Sequence, residues 1–418
     1  MQSNYPNRSA DVAVIGAGIV GLCSALFLQK QGQKVLLIDA QPPGTGASYG
    51  NGGMLSGMAF APMSMPGMVW HVPRWLRDPL GPLAVSPGYL PKALPWLVKW
   101  LLASQMGTVR QASRANLALN EPCLSLYREL LGEELFARYI RVKGSLQIWE
   151  SDTITVGQKI AAELRRELGQ EAEEMTGDQL REFIPALSPK VRRGLYFPRN
   201  GHTVDPIGLT TSLAGLFVAA GGTILHEKVM KILPQEGGGG ILMTNVANHT
   251  APRIVIAGGA WSKALVEPLG TRLPLETERG YHMIMEADAD IACPIIHQDL
   301  GCGVTPMNEG LRFGGTVEIA GLERAPNEQR AKLFADKARR FFPDVVMREK
   351  RIWMGFRPST PKSVPIIDAL PNCPGIFVAV GHGHYGMIGG PATGRLVADL
   401  VLGRIPFVDR EPYRLANA

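Results

Sequence analysis

Gly16, Gly18 and Gly21 carry GxGxxG spacing inside DVAVIGAGIVGLCSALFLQKQGQKVLLID, residues 11–39. The first glycine permits a tight turn, the second lets backbone approach a pyrophosphate, and the third lets a helix pack closely on a strand. The helix then turns unpaired N–H groups towards the phosphates. Asp39 closes the second apolar run, where a carboxylate accepts hydrogen bonds from both ribose hydroxyls and would repel a 2′-phosphate. The expected ligand is an adenine dinucleotide lacking that phosphate. Bare GxGxxG is a weak sign, but the apolar strand, helix and acid around it make it specific.

The elements that must position this chemistry follow in order. QPPGTGASYGNGGMLS, residues 41–56, is a glycine-rich loop whose small residues allow close approach to a flat ligand, with Ser48 and Asn51 as hydrogen-bond donors. Residues 117–131 have a helical pattern, GSLQIW (144–149) reads as a strand, and 155–168 as another helix. Asp205 and Pro206 start a helix that Gly221 and Gly222 end. The run 237–240 reads as a hairpin turn, and RIVIAGGAWS (253–262) as a buried strand entering a glycine turn. Gly381, Gly383 and Gly386 repeat the GxGxxG spacing, but no acidic strand follows, which excludes a second dinucleotide site. A layout holding a flavin and a nicotinamide together is disfavoured with it.

At 418 residues the chain is long enough for two domains with proper cores. Its five cysteines, Cys23, Cys123, Cys293, Cys302 and Cys373, lie far apart with no CxxC pair. That argues for a reducing compartment and against a zinc site or disulfide frame. The polar start MQSNYPNRSA lacks a secretory apolar region, so a cytoplasmic location is expected. The longest apolar helical stretch outside the glycine motif, 94–103, is about half of a bilayer span.

Net charge is +6, and residues 61–114 hold six bases (Arg74, Arg77, Lys92, Lys99, Arg110, Arg114) against one acid, Asp78. Trp70, Trp75, Trp96 and Trp100 fall in the same stretch. Two readings stand: a surface dipping into an anionic membrane on its inner face, or tryptophans buried in a substrate domain. No recognition motif accompanies the charge, which excludes nucleic acid as a partner.

VIGAGIVG with Asp39, GASYGNGG, GHTVDP, IVIAGGAWS, RGYH (279–282), GFRPSTPKSVPIID (355–368) and GHGHYGMIGGPATG (381–394) together resemble the D-amino acid oxidase superfamily of flavoproteins, particularly its bacterial D-amino acid dehydrogenases. The resemblance covers most of the chain. It implies an α/β fold, α+β overall, in which an interrupted Rossmann-like FAD-binding domain (1–60, 203–262, 352–418) surrounds an inserted mixed-sheet substrate domain (61–202, 263–351). It assigns FAD contacts to Gly16, Gly18, Ile19, Val20, Asp39, Ala40, Ala47, Ser48, Asn51, Gly52, Gly53 and Met54 from the first segment. Val229, Ala257, Gly258 and Trp261 follow from the second, and Gly383, His384, Tyr385, Gly386 and Met387 from the third.

Arg357 of GFRP matches the residue that clamps the substrate carboxylate in such enzymes, and a planar, permanently charged guanidinium suits two oxygens. A structural pair with Asp368 is the alternative. The resemblance also brings Tyr281, His282 and His384 to the substrate pocket. Gly355 and Asn51 stand where covalent-flavin relatives carry a cysteine and a histidine, so noncovalent FAD is expected.

The activity implied is oxidation of a D-amino acid, cyclic ones such as D-proline or hydroxy-D-proline included, by hydride transfer to flavin N5. Orientation and exclusion of water would do most of the catalysis. Electrons would pass to a quinone or other carrier. The rivals are an O₂-using glycine, sarcosine or D-amino acid oxidase, and a flavin-binding subunit of a heteromeric dehydrogenase, for which a carboxylate clamp would have no use.

Overall fold

The computed structural model describes residues 7–68 and 80–418. The elements used below are, in chain order, β1 (Val12–Ile15), α1 (Ile19–Lys30), β2 (Val35–Asp39), α2 (Leu90–Leu102), β3 (Thr223–His226), β4 (Arg253–Ile256), β5 (Glu276–Ala287), β6 (Val317–Ile319), β7 (Met347–Ser359), β8 (Ile366–Ala369), β9 (Ile376–Val380) and α3 (Gly386–Val401).

Short Val/Ile/Leu runs without polar alternation suit strands covered on both faces. They form a six-stranded sheet in the order β3-β2-β1-β4-β9-β8, parallel except for β8. It therefore draws strands from three separated stretches of chain. Ile15 pairs with both Ile38 and Ile256, so the ends that carry Gly16, Asp39 and Ala257 emerge side by side. In an open α/β sheet ligands bind at such carboxyl ends. On one face α1 packs against α3, closely because Gly394 has no side chain: a Cβ there would lie 2.5 Å from the carbonyl carbon of Cys23.

The larger, mixed sheet has ten strands among the described residues. β5 runs through it, antiparallel to β7 along one edge and to β6 and Gly310–Gly314 along the other. Tyr281, Met283 and Met285 of β5 face a core that includes Phe313, Phe334 and Phe341. Residues 352–359, expected with the dinucleotide domain, belong to this sheet, because β7 continues through them to Ser359.

Two expectations for the middle of the chain change. The single helix over 117–131 is two, Met106–Asn120 and Cys123–Tyr139, parted at Pro122, which has no N–H to continue the hydrogen-bond ladder and whose ψ of 10° leaves the helical region. In α2, Trp96 and Trp100 are buried with Ala93 against Val317 and Ile319 of β6, their rings stacked 6.5 Å apart. They are core residues and cannot insert into a membrane. Trp70, Arg74, Trp75, Arg77 and Asp78 lie outside the described residues. Among the described residues no helix is long and apolar enough to cross a membrane.

Candidate active site

A cavity of about 1350 Å³ opens where the carboxyl ends of β1, β2 and β4 meet the face of the larger sheet. Gly16 has φ +106°, and a Cβ on it would sit 2.4 Å from the Ala257 carbonyl oxygen, so only glycine fits this turn. A Cβ on Gly21 would lie 1.8 Å from the Gly16 oxygen. Asp39 holds the turn: Oδ2 accepts the Ala17 N–H at 2.7 Å and Oδ1 the Gln41 N–H at 2.9 Å. Each carboxylate oxygen keeps further acceptor capacity for a ribose.

Ser48 Oγ accepts the N–H of Ile19 at 2.9 Å at the start of α1, leaving its own O–H to donate. Asn51 Oδ1 is engaged within the loop by the Gly53 N–H at 2.8 Å. Gly18, Val20, Ala40, Ala47, Gly52 and Met54 border the cavity, as do Val229, Ala257, Gly258 and Trp261. Gly383, His384, Tyr385, Gly386 and Met387 border it from the far side, where α3 begins. Gly53, expected among them, does not: a Cβ there would meet Met307 and the Thr203 carbonyl, behind the loop. Glycines whose Cβ would strike backbone, a carboxylate ending β2 and the start of α1 together fit an adenine dinucleotide.

The other half of the cavity is built by pairing β5 with β7. Glu278 lies opposite Arg357, Gly280 opposite Gly355, and His282 opposite Trp353. Alternation along a strand puts all six on one face. The two glycines let large groups lie flat on the sheet: a Cβ on Gly280 would be 2.1 Å from Arg357 Cζ, and one on Gly355 1.9 Å from the Trp353 ring. Arg357 is half-buried, borders the cavity and donates from Nη1 to the Thr316 carbonyl at 3.2 Å. Asp368, its alternative partner, instead accepts the Leu415 N–H at 3.0 Å.

His282 stacks on Trp353 with centroids 5.2 Å apart and places Nδ1 3.3 Å from the Gly50 carbonyl. Burial, aided by Arg312, pushes its pKa down to about 3. His384 Nδ1 stands 3.8 Å from Glu278 Oε2, and burial with nearby Arg357 also pushes its pKa down to about 3. Both imidazoles are therefore neutral at ordinary pH. Tyr281 also borders the cavity, but its ring packs in the core on the opposite face of the strand and its hydroxyl donates to Glu318 at 2.6 Å.

Three residues here went unmarked by motif. Glu278 and Trp353 could have been found by counting in twos from Gly280 and Arg357 along their strands. Arg312 has no local signal. Its Nη1 donates to the carbonyls of Tyr49 (2.8 Å) and Asn51 (2.7 Å), pinning the glycine-rich loop to the larger sheet. Among the described residues no cluster of His, Cys, Asp or Glu is placed to hold a metal ion. All five cysteines are buried and free, and Cys302, at the cavity wall, has its thiol pushed up to about 11 by burial.

A dinucleotide groove facing an arginine-bearing wall on the larger sheet fits a flavoprotein oxidoreductase. The DAO model, described as FAD dependent oxidoreductase, matches residues 11–400, and the chain belongs to that family, with FAD as its cofactor. It is 36% identical over 410 residues to a D-amino-acid oxidase of Bradyrhizobium diazoefficiens, covering 96% of this chain and 97% of the relative. Among solved structures, the glycine oxidase of Geobacillus kaustophilus superposes with a TM-score of 0.73 at 23% identity over 98% of this chain and 99% of that one. The L-proline dehydrogenase of P. horikoshii superposes with a TM-score of 0.76 at 20% identity over 98% of both.

Proposed function

We propose that the protein oxidises D-amino acids, cyclic ones such as D-proline and hydroxy-D-proline included, to imino acids that hydrolyse to 2-oxo acids. A quinone or another carrier takes the electrons. The observation that carries this reading is Arg357, its guanidinium held over Gly280 against the cavity by the Thr316 carbonyl. Such a fork binds a carboxylate through two parallel hydrogen bonds and so fixes the neighbouring Cα–H. Bound FAD supplies a two-electron acceptor that takes the α-hydrogen with its bonding pair. Trp353 and His282 wall the site and keep water out, and the start of α3 favours negative charge beside Gly386 and Met387. The flavin is held noncovalently and should be freed by acid precipitation.

The name of the Bradyrhizobium relative supports D-handedness and equally supports a second reading, an oxidase that uses O₂. Anaerobic mixing with D- and L-alanine, D- and L-proline, glycine and sarcosine tests the substrate through bleaching of the flavin absorbance. Mixing the reduced protein with O₂ or a short-chain quinone tests the acceptor. Bleaching by D-enantiomers and faster reoxidation by quinone are expected; bleaching by none overturns the reading, and faster reoxidation by O₂ makes it an oxidase.

A peripheral membrane contact goes with a quinone acceptor. Leu94 and Leu102 are 52% and 61% exposed on the outer side of α2, with Val98 between them and Lys92 and Lys99 alongside. This face, rather than the buried tryptophans, is the one suited to an anionic lipid surface.

A further inference from the structure

Glu278 Oε2 and His384 Nδ1, both on residues bordering the cavity, have no hydrogen-bond partner among the described residues. Their separation of 3.8 Å is too long for a direct hydrogen bond. A single nitrogen about 2.9 Å from each would bridge them. The Glu278 side chain is only 6% exposed, and a buried carboxylate oxygen with no donor is rare enough to call for a missing one. Directly across the strand pair stands Arg357. The cavity wall thus offers one positive and one negative group on neighbouring strands, the pattern complementary to a zwitterion.

We infer that Glu278 and His384 receive the α-amino group of a substrate whose carboxylate lies on Arg357, and that Glu278 takes the proton the ammonium must lose before oxidation. This rests on reading the site as an amino-acid-oxidising centre. An ammonium N–H bond breaks, its electron pair stays on nitrogen, and the proton forms an O–H bond on Glu278. The nitrogen pair then forms C=N as the Cα–H bond breaks, and the α-hydrogen leaves with two electrons to FAD, which is reduced. Glu278 returns its proton to solvent as product leaves.

The groups around Glu278 fit this role. Arg357 faces it from β7 and neutral His384 from the turn before α3; the Ser359 hydroxyl, also on β7, is close enough to the carboxylate to lower its pKa by hydrogen bonding, and Glu276, on its own strand, raises it. Glu276 is engaged by the Tyr89 hydroxyl at 3.1 Å and the Thr277 N–H at 2.8 Å. Arg279 and Glu318 pair with each other at 4.0 Å on the opposite face. Burial raises the Glu278 pKa and Arg357 restrains the rise. The carboxylate therefore stays a base while being easier to protonate than a surface glutamate.

The test compares two ligands that cannot be oxidised, 2-aminoisobutyrate and pivalate, in which a methyl replaces the ammonium. Calorimetric titration of the FAD-loaded wild type should show at least tenfold preference for the amino acid. Glu278→Gln should lose that preference with pivalate binding unchanged or tighter. Its kcat/KM, measured against pH, should need the substrate's own ammonium to deprotonate, shifting the acidic limb upward, while Glu278→Asp keeps the wild-type limb. Equal weakening of both ligands, or an unmoved limb, assigns Glu278 a structural role and overturns the inference while leaving the amino-acid reading intact. If neither ligand binds the wild type and no amino acid bleaches its flavin, the reading itself falls.

Discussion

Arg357 and the buried histidines make predictions that rest on single side chains. Truncating one partner of a buried charge pair costs about 2–5 kcal/mol, so Arg357→Ala should lower kcat/KM for amino acids roughly 30- to 4,000-fold. Arg357→Lys should recover only part, since an ammonium cannot make two parallel bonds. Steady-state kinetics on flavin-loaded variants check both. Burial holds the pKa of His282 at about 3 and that of His382, bonded through Nε2 to Thr393 at 2.8 Å, at about 4. An unfolded histidine titrates near 6.5. As pH falls below that value the unfolded chain takes up protons that these rings refuse, so stability falls with pH until the folded pKa is reached. At pH 5 the loss is on the order of 2 kcal/mol for each ring. Denaturant titrations at pH 7 and pH 5 should show it, and His282→Gln should reduce the difference.

Elements were legible where their signal is local. The β1–α1–β2 unit follows from glycine spacing and apolar runs within residues 11–39, and Asp205 caps the helix Pro206–Ala219 by accepting the Gly208 N–H at 2.9 Å. The faces of α2 were not legible, because apolar residues cover all of it except a narrow strip at Lys92 and Lys99. Ala93, Trp96 and Trp100 share one side, and Leu94, Val98 and Leu102 another. Periodicity cannot say which stripe meets β6, a strand far along the chain. The pairing of Glu278 with Arg357 is equally non-local: GFRP marks Arg357 as the expected clamp, and counting in twos puts Glu278 on the face of Gly280, but the register that sets the two opposite each other is not in either segment. Helix contact yields a further test at Gly394, where a Cβ would press on Cys23 backbone from 2.5 Å. Overpacking of this kind costs about 1–3 kcal/mol, so Gly394→Ala should lower the denaturation midpoint. Gly215, exposed within Pro206–Ala219 with nothing within 4 Å of an added Cβ, is the control. Gly215→Ala should stabilise by about 0.5–1 kcal/mol.

Across the whole molecule, α2 connects the cavity to the outside. Trp96, Leu97 and Trp100 border the cavity, while Leu94, Val98 and Leu102 face solvent on the other side of the same helix. A lipid surface meeting the outer stripe would bring an apolar acceptor close to the site without entering water. The basic excess over 61–114 contributes less than its count suggests, because Arg110 is paired with Glu163 at 3.1 Å and Glu167 at 2.9 Å. Lys92 and Lys99 remain beside the stripe. At about 1 kcal/mol per basic residue near an anionic membrane, the two supply about 2 kcal/mol, roughly 30-fold in affinity. Binding should therefore be reversible, weakened by salt and stronger on anionic than on zwitterionic vesicles. Replacing Leu94, Val98 and Leu102 together by serine should abolish co-sedimentation at low salt while leaving substrate bleaching of the flavin unchanged. Lys92→Glu with Lys99→Glu should remove only the preference for anionic lipid. Wild-type protein left wholly in the supernatant with anionic vesicles at low salt would exclude this face as a membrane contact and shift the balance towards an acceptor that arrives through water.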